Sequence, residues 1–205
     1  MTVGQCSIYF VSQQTFDFDE VMNFFTSSNF SLIHPETQKI ISVDEEGDSF
    51  EIEYELVRHK ALNSNYSNVK LWLMERYKDF DCYSYIYWAF RLHHNVFVQN
   101  FDFYPLADEE IEQVSKVLFQ FFLSQIPKSH PLGIYIDKLG HTEDTINWDD
   151  FFSERESIAD LLPDTLCIKK DKLPSITADL SQHTMKMIDD EYILITSDVQ
   201  ILLSD

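Results

Sequence analysis

The chain has 205 residues, and its 35 acidic against 15 basic side chains give a formal net charge of −20. That sign works against binding phosphate backbones or anionic membrane surfaces, both of which need a basic face. Hydrophobic residues make up 44% of the chain and aromatic ones 15%, with only 4 Gly and 6 Pro, which excludes disordered, collagen-like and low-complexity classes.

Val3 to Val11 is rich in β-formers (Ile8, Tyr9, Phe10, Val11) and predicts a first strand. Asp17-Phe18-Asp19-Glu20 reads as a helix start, with Asp17 as cap and Glu20 three residues on. Phe18, Val21, Met22 and Phe25 then share one helical face, and Ser27-Ser28-Asn29 ends the helix. Lys39 to Val43, the turn Asp44-Glu45-Glu46-Gly47-Asp48 and Ser49 to Val57 predict a β-hairpin. In its second arm Phe50, Ile52, Tyr54 and Leu56 alternate with Glu51, Glu53 and Glu55, which predicts a strand with one buried and one acidic face.

Val69 to Met74, Tyr83 to Leu92 and Asn95 to Tyr104 read as an aromatic antiparallel meander, although Tyr83 to Phe90 also fits a helix. Asp108 to Gln125 predicts the clearest helix: acids in the first turn, an apolar stripe (Ile111, Val114, Leu118, Phe121, Phe122), and Pro127 as its stop. Gly133 to Lys138 predicts a strand. Asn147-Trp148-Asp149-Asp150-Phe151-Phe152 predicts a helix that Pro163 closes, and Thr165 to Ile168 and Tyr192 to Ile195 predict late strands, with Leu173 to Gln182 as loop or edge. These elements make one α+β domain over 1–205, with a mainly antiparallel central sheet and about three flanking helices. Two similar strand–loop–helix halves, 1–60 and 131–205, would flank the meander.

The charge is uneven. Residues 1–60 carry 11 acids and 3 bases, 61–130 carry 8 and 6, and 131–205 carry 16 and 6. Cys6, Cys82 and Cys167 are odd in number and far apart, as expected of free thiols in a reducing compartment. The first residues show no basic stretch followed by an apolar run, and no run reaches the ~18 apolar residues of a membrane helix, so a cytoplasmic location and no membrane contact are expected. Asn29-Phe30-Ser31 and Asn65-Tyr66-Ser67 are then chance matches to a glycosylation pattern.

Four scattered glycines build neither a dinucleotide fingerprint nor a phosphate loop, and no Gly-x-Ser-x-Gly elbow is present. The seven histidines show no compact ligand spacing. Asp137 to Asp144 fails the EF-hand pattern because Leu139 and His141 stand where oxygen ligands belong, while an irregular cation site from Glu143, Asp144, Asp149 and Asp150 stays open. No cofactor, no resident metal and no catalytic residue are expected. The candidate partner-binding residues are Asp44, Glu45, Glu46, Asp48, Glu51, Glu53 and Glu55 in the hairpin, and Glu143, Asp144, Trp148, Asp149 and Asp150 near the later helix. Self-repulsion among the hairpin acids would be relieved by a basic partner. Trp148 suits either an interface anchor or packing at its helix start, with the two Asp residues stabilising that end.

The acidic α+β profile, the aromatic meander, the acidic run Glu51, Glu53, Glu55, and Ile134-Tyr135-Ile136-Asp137 leading to Trp148-Asp149-Asp150-Phe151-Phe152 resemble the bacterial polymorphic-toxin immunity proteins. The resemblance implies a non-enzymatic inhibitor that holds a basic toxin domain, such as a nuclease, in a stoichiometric complex and does not touch nucleic acid itself. Two alternatives share the acidity: a nucleic-acid mimic acting on a DNA-binding enzyme, and a small enzyme with an unfamiliar site.

Overall fold

The computed structural model describes residues 4–11, 17–44, 46–63, 66–76, 83–93, 96–103, 106–142, 145–159 and 161–202. In chain order the first half comprises β1 (Gln5–Phe10), α1 (Phe18–Ser27), β2 (Phe30–Ser31), β3 (Ile40–Val43), β4 (Ser49–Ile52), α2 (Tyr54–Asn63), β5 (Tyr66–Arg76), β6 (Tyr83–His93) and β7 (Val96–Asp102). The second comprises α3 (Asp108–Ser129), β8 (Gly133–Asp137), α4 (Trp148–Phe152), β9 (Thr165–Lys169), a 3-10 turn (Lys170–Ser175), β10 (Thr184–Met187), β11 (Tyr192–Thr196) and α5 (Val199–Leu202). This is the expected α+β class. Nine strands form one antiparallel sheet in the order β10-β11-β9-β8-β1-β7-β6-β5-β2, and β3 and β4 form a separate two-stranded hairpin. No helix among the described residues is long and apolar enough to cross a membrane.

The first strand in sequence is central in space. β1 pairs with β7 on one side and β8 on the other, and all six of its residues are buried. Strand alternation sends Cys6, Ile8 and Phe10 into one core and Tyr9 into a second on the opposite face. The larger core lies under α1 and α3. Phe18, Val21, Met22 and Phe25 of α1 are all buried, as their spacing predicts. The Asp17 carboxylate caps α1 by accepting from the Asp19 and Glu20 amides at 3.0 and 3.1 Å. Glu20 does not complete a capping box here, because its carboxylate pairs with Lys128 of α3. Phe25 is the hub: the rings of Phe30, Trp88, Phe101 and Phe121 lie 5.2–5.8 Å from it.

The smaller core covers the other face over β1, β8, β9 and β11. Phe152 of α4 stacks on Tyr9 at 4.0 Å, directly over Gly133 of β8. A Cβ on Gly133 would lie 2.7 Å from the Phe152 ring and 2.6 Å from the Cys167 carbonyl. The missing side chain is therefore what lets α4 sit down on the sheet.

Several expectations are corrected. The strand from Ser49 to Val57 ends at Ile52, and Tyr54 to Asn63 is helical. The Glu53 carbonyl accepts from the Leu56 and Val57 amides, and burial of Val57 and Ala61, one helical turn apart, overrides the alternation. Phe50, Tyr54 and Leu56 are consequently exposed, at 38, 37 and 48%. The α3 helix runs through Pro127 to Ser129 and ends at His130, which takes the left-handed conformation (φ 46°). The α4 helix ends at Phe152, well before Pro163, with Glu154 left-handed (φ 64°) and the Arg155 amide donating back to the Asp150 carbonyl at 2.8 Å. The helical alternative for Tyr83 to Phe90 is not taken. Cys6 and Cys167 are buried free thiols, and Cys82 lies outside the described residues.

Charges gather where β8 ends. Lys138 Nζ lies 2.6 Å from Glu112 and 2.7 Å from Asp198, while its amide donates to Asp164 at 2.7 Å. Burial, with Asp137 and Asp198 nearby, holds the Asp164 carboxyl above its ordinary pKa of 3.8. A raised acid favours folding when protonated, so its favourable contribution is full below pH 3.8 and fades as pH rises through the folded-state value. Asp164→Asn keeps an acceptor and removes the charge. It is expected to raise urea-unfolding stability at pH 7 relative to the parent, with the gain vanishing below about pH 3.8. Phe25→Ala empties the centre of the larger core, and chemical denaturation is expected to show a loss of about 3–5 kcal/mol.

Candidate functional site

The predicted partner-binding residues fall into two places. The first is the β3–β4 hairpin with the start of α2. Asp44, Glu46, Asp48, Glu51, Glu53 and Glu55 are all exposed, and Glu45 lies outside the described residues. Gly47 (φ 91°) turns the hairpin, and Asp44 Oδ1 accepts from the Asp48 amide at 2.7 Å. Glu51, Glu53 and Glu55 do not share a strand face, since Glu51 lies on β4 and Glu55 in the first turn of α2. Their charge is only partly answered: Lys39 lies 3.0 Å from Glu51, and Arg58 lies 3.0 Å from Asp19 and 3.8 Å from Glu55.

This patch also carries apolar side chains turned outward. Leu56 and Lys60 are one turn apart on α2, and the Lys60 ammonium sits 5.7 Å over the Phe50 ring, so Phe50 and Leu56 share a surface. Tyr54 packs its ring on Phe18 at 5.7 Å and donates its hydroxyl to Asp19 at 3.1 Å. The hairpin is anchored to the main sheet through Asn68 of β5, whose carbonyl accepts from Ser42 Oγ at 2.6 Å and whose side chain accepts from the Val43 amide at 2.9 Å.

The second place is a cleft of about 560 Å3 between α4 and the sheet, lined by Gln5, Tyr9, Arg91, Tyr135, Trp148, Asp149 and Glu156 among others. Asp149 is its centre. Its carboxylate accepts from both terminal nitrogens of Arg91 on β6, at 2.8 Å from Nη2, and from the Tyr9 hydroxyl of β1 at 3.0 Å. His93 Nδ1 is 3.9 Å away. Burial is the strongest single influence on Arg91 and opposes its charge, but the hydrogen bond to Asp149 together with the charge interactions with Tyr9, Asp149 and Tyr135 exceeds it and holds the guanidinium pKa up. Burial first, then Tyr135 and Asp149, push the Tyr9 hydroxyl well above its ordinary value, and burial does the same to Tyr135. Both phenols therefore stay protonated near neutrality; Tyr9 donates to Asp149, and the Tyr135 hydroxyl oxygen accepts from Ser7 Oγ at 3.3 Å.

Trp148 is 5% exposed and stacks on Tyr135 at 4.2 Å, so it forms part of the cleft wall. Its indole Nε1 has no hydrogen-bond partner among the described residues. Asp150 serves its own helix: Asn147 caps α4 by accepting from the Asp150 amide at 3.2 Å and donates back to its carboxylate at 2.9 Å. Glu143 and Asp144 lie outside the described residues, and no group of three or more His, Cys, Asp or Glu is placed to hold a metal ion among those described. Arg91, Tyr9, Tyr135 and Gln5 escaped sequence reasoning, because the partners of Asp149 lie 58 and 140 residues away along the chain. The one available signal was Arg91 standing in phase with Tyr85 and Tyr87 on β6.

No protein-family model, curated protein or solved structure matches this chain.

Asp149→Leu would leave Arg91, about two-thirds buried, without its counter-charge, at an expected cost of about 3 kcal/mol. The double variant Asp149→Leu with Arg91→Met is expected to recover at least half of that loss in the same denaturation series, because no charge is then stranded.

Proposed function

We propose that this chain is an acidic protein-binding inhibitor that holds a basic partner in a stoichiometric complex, as toxin-neutralising immunity proteins do. The observation that carries this reading is the hairpin patch, where exposed Phe50 and Leu56 are set among exposed carboxylates. An isolated acidic surface serves solubility, and single exposed apolar side chains are ordinary. Their combination has the anatomy of an interface: apolar anchors that contribute short-range energy within a charged rim that speeds encounter and excludes wrong partners. A basic toxin domain with a substrate cleft for nucleic acid is complementary to such a surface in charge.

Binding rather than turnover also suits the cleft beside α4. Its central carboxylate is engaged by Arg91 and Tyr9, and its two phenols hold their protons. A general base needs a free carboxylate or imidazole within reach of a substrate proton, and Asp149, the carboxylate at the centre of the cleft, is not free.

The test begins with a partner captured from the cells that make the chain, purified, and identified by its charge. Association is expected to slow by roughly 10-fold or more between low and physiological salt. Glu51→Lys with Glu53→Lys should slow it further at low salt, and Phe50→Ala should weaken the complex by more than about 1 kcal/mol, mainly through faster dissociation. An acidic partner, or a basic one whose binding ignores both salt and these three substitutions, would sink the proposal.

A further inference from the structure

Beyond the cleft, the same sheet face carries a cluster of rings around one cation. Tyr83, Tyr85 and Tyr87 alternate along β6 in phase with Arg91, and across the strand boundary Lys70 pairs with Tyr87 and Trp72 with Tyr85. Lys70 Nζ lies 4.5 Å from the Tyr85 ring centre, 5.8 Å from that of Tyr87 and 5.9 Å from that of Trp72. The rings support one another. Trp72 and Tyr85 are 4.9 Å apart, Tyr85 and Tyr87 are 5.3 Å apart, and His34 lies edge-on to Trp72 at 4.3 Å.

What this cluster lacks is a counter-ion. In a chain of net charge −20, the Lys70 ammonium has no ion pair and no hydrogen-bond acceptor among the described residues. Burial is what lowers its pKa, with no neighbouring carboxylate holding it up. The Trp72 indole N–H, on a residue 7% exposed, also has no acceptor among the described residues. Ring faces attract a cation by about 0.5–2 kcal/mol but leave its charge uncancelled. A half-buried cation and an unpaired donor beside flat apolar walls define a ligand with a negative group on a planar ring. At physiological salt the Debye length of about 8 Å screens the remote acids, so the local cation governs.

We infer that Lys70, Trp72, Tyr85 and Tyr87 form a binding site for a small aryl carboxylate or aryl phosphate, the anion on the Lys70 ammonium and the ring against the aromatic side chains. The site is separate from the hairpin patch and stands whether or not that patch binds a protein.

The probes are benzoate and phenyl phosphate, with benzyl alcohol as the uncharged control, titrated into the full chain at 0.15 M salt while the Trp72 indole N–H resonance is followed by NMR. Its assignment comes from its absence in Trp72→Phe. A saturable shift with a Kd on the order of 1 mM is expected from at least one anion. Response to benzoate alone assigns a carboxylate, and to phenyl phosphate alone a phosphate. Lys70→Met keeps the apolar stem and should weaken binding at least tenfold, whereas Lys70→Arg should keep it within a few-fold. The proposal is overturned by no saturable shift from either anion, by an equal response in Lys70→Met, or by an equal response to benzyl alcohol.

Discussion

Strand β1 has no solvent side, and much of the architecture follows from that constraint. Its neighbours β7 and β8 satisfy its backbone on both edges, so both of its faces must be covered by something else. On one face Cys6, Ile8 and Phe10 are covered beneath α1 and α3 by rings gathered around Phe25. On the other, Tyr9 is stacked by Phe152 and bonded to Asp149, which draws α4 down onto the sheet over Gly133. The same phenol thus closes the second core with its ring and builds the cleft with its hydroxyl.

Polarity on that second face is organised across strands. Ser7 Oγ of β1 donates to Asn100 of β7 at 2.5 Å, and Asn100 donates to Asp102 at 2.6 Å. The first bond reaches the neighbouring strand and the second runs two residues along β7, since side chains of paired strands stand side by side and alternate residues of one strand share a face. The outcome is a face that shades from a paired, neutralised cleft at Asp149 to a donor-rich aromatic cluster at Lys70. One exposed part of the chain's acidity is displayed elsewhere, on the β3–β4 hairpin and the start of α2, which form no strand pairing with the main sheet but are tied to it through Asn68 of β5.

Helix α1 was legible almost residue by residue, because Phe18, Val21, Met22 and Phe25 have a period that only a helix satisfies and Asp17 supplies a local cap. The meander from β5 to β7 was legible for a similar reason. Residues 50–56 were not: Phe50, Ile52, Tyr54 and Leu56 alternate as a strand does, while Tyr54, Val57 and Ala61 also fit a helix, and the choice rested on which set the core would bury. Strand β10 was not predicted: Thr184, Met185, Lys186 and Met187 alternate polar with apolar, but over only four residues, and all four are exposed. Of the candidate site, the hairpin acids were visible as charge, but Phe50 and Leu56 were expected inside and proved to be the exposed part.

The sequence by itself determined the class and the charge: one acidic α+β chain with an aromatic meander, capped helices and no glycine-rich phosphate loop. These are local or summed properties, written in period, turn chemistry and composition. Only the tertiary structure decided that the first strand is central, that Asp149 is paired with Arg91 and accepts from Tyr9, and that Lys70 stands among rings without a counter-ion. Those facts depend on which distant residues become neighbours across a sheet, and register across strands is set by burial of whole faces, which no short window of sequence contains.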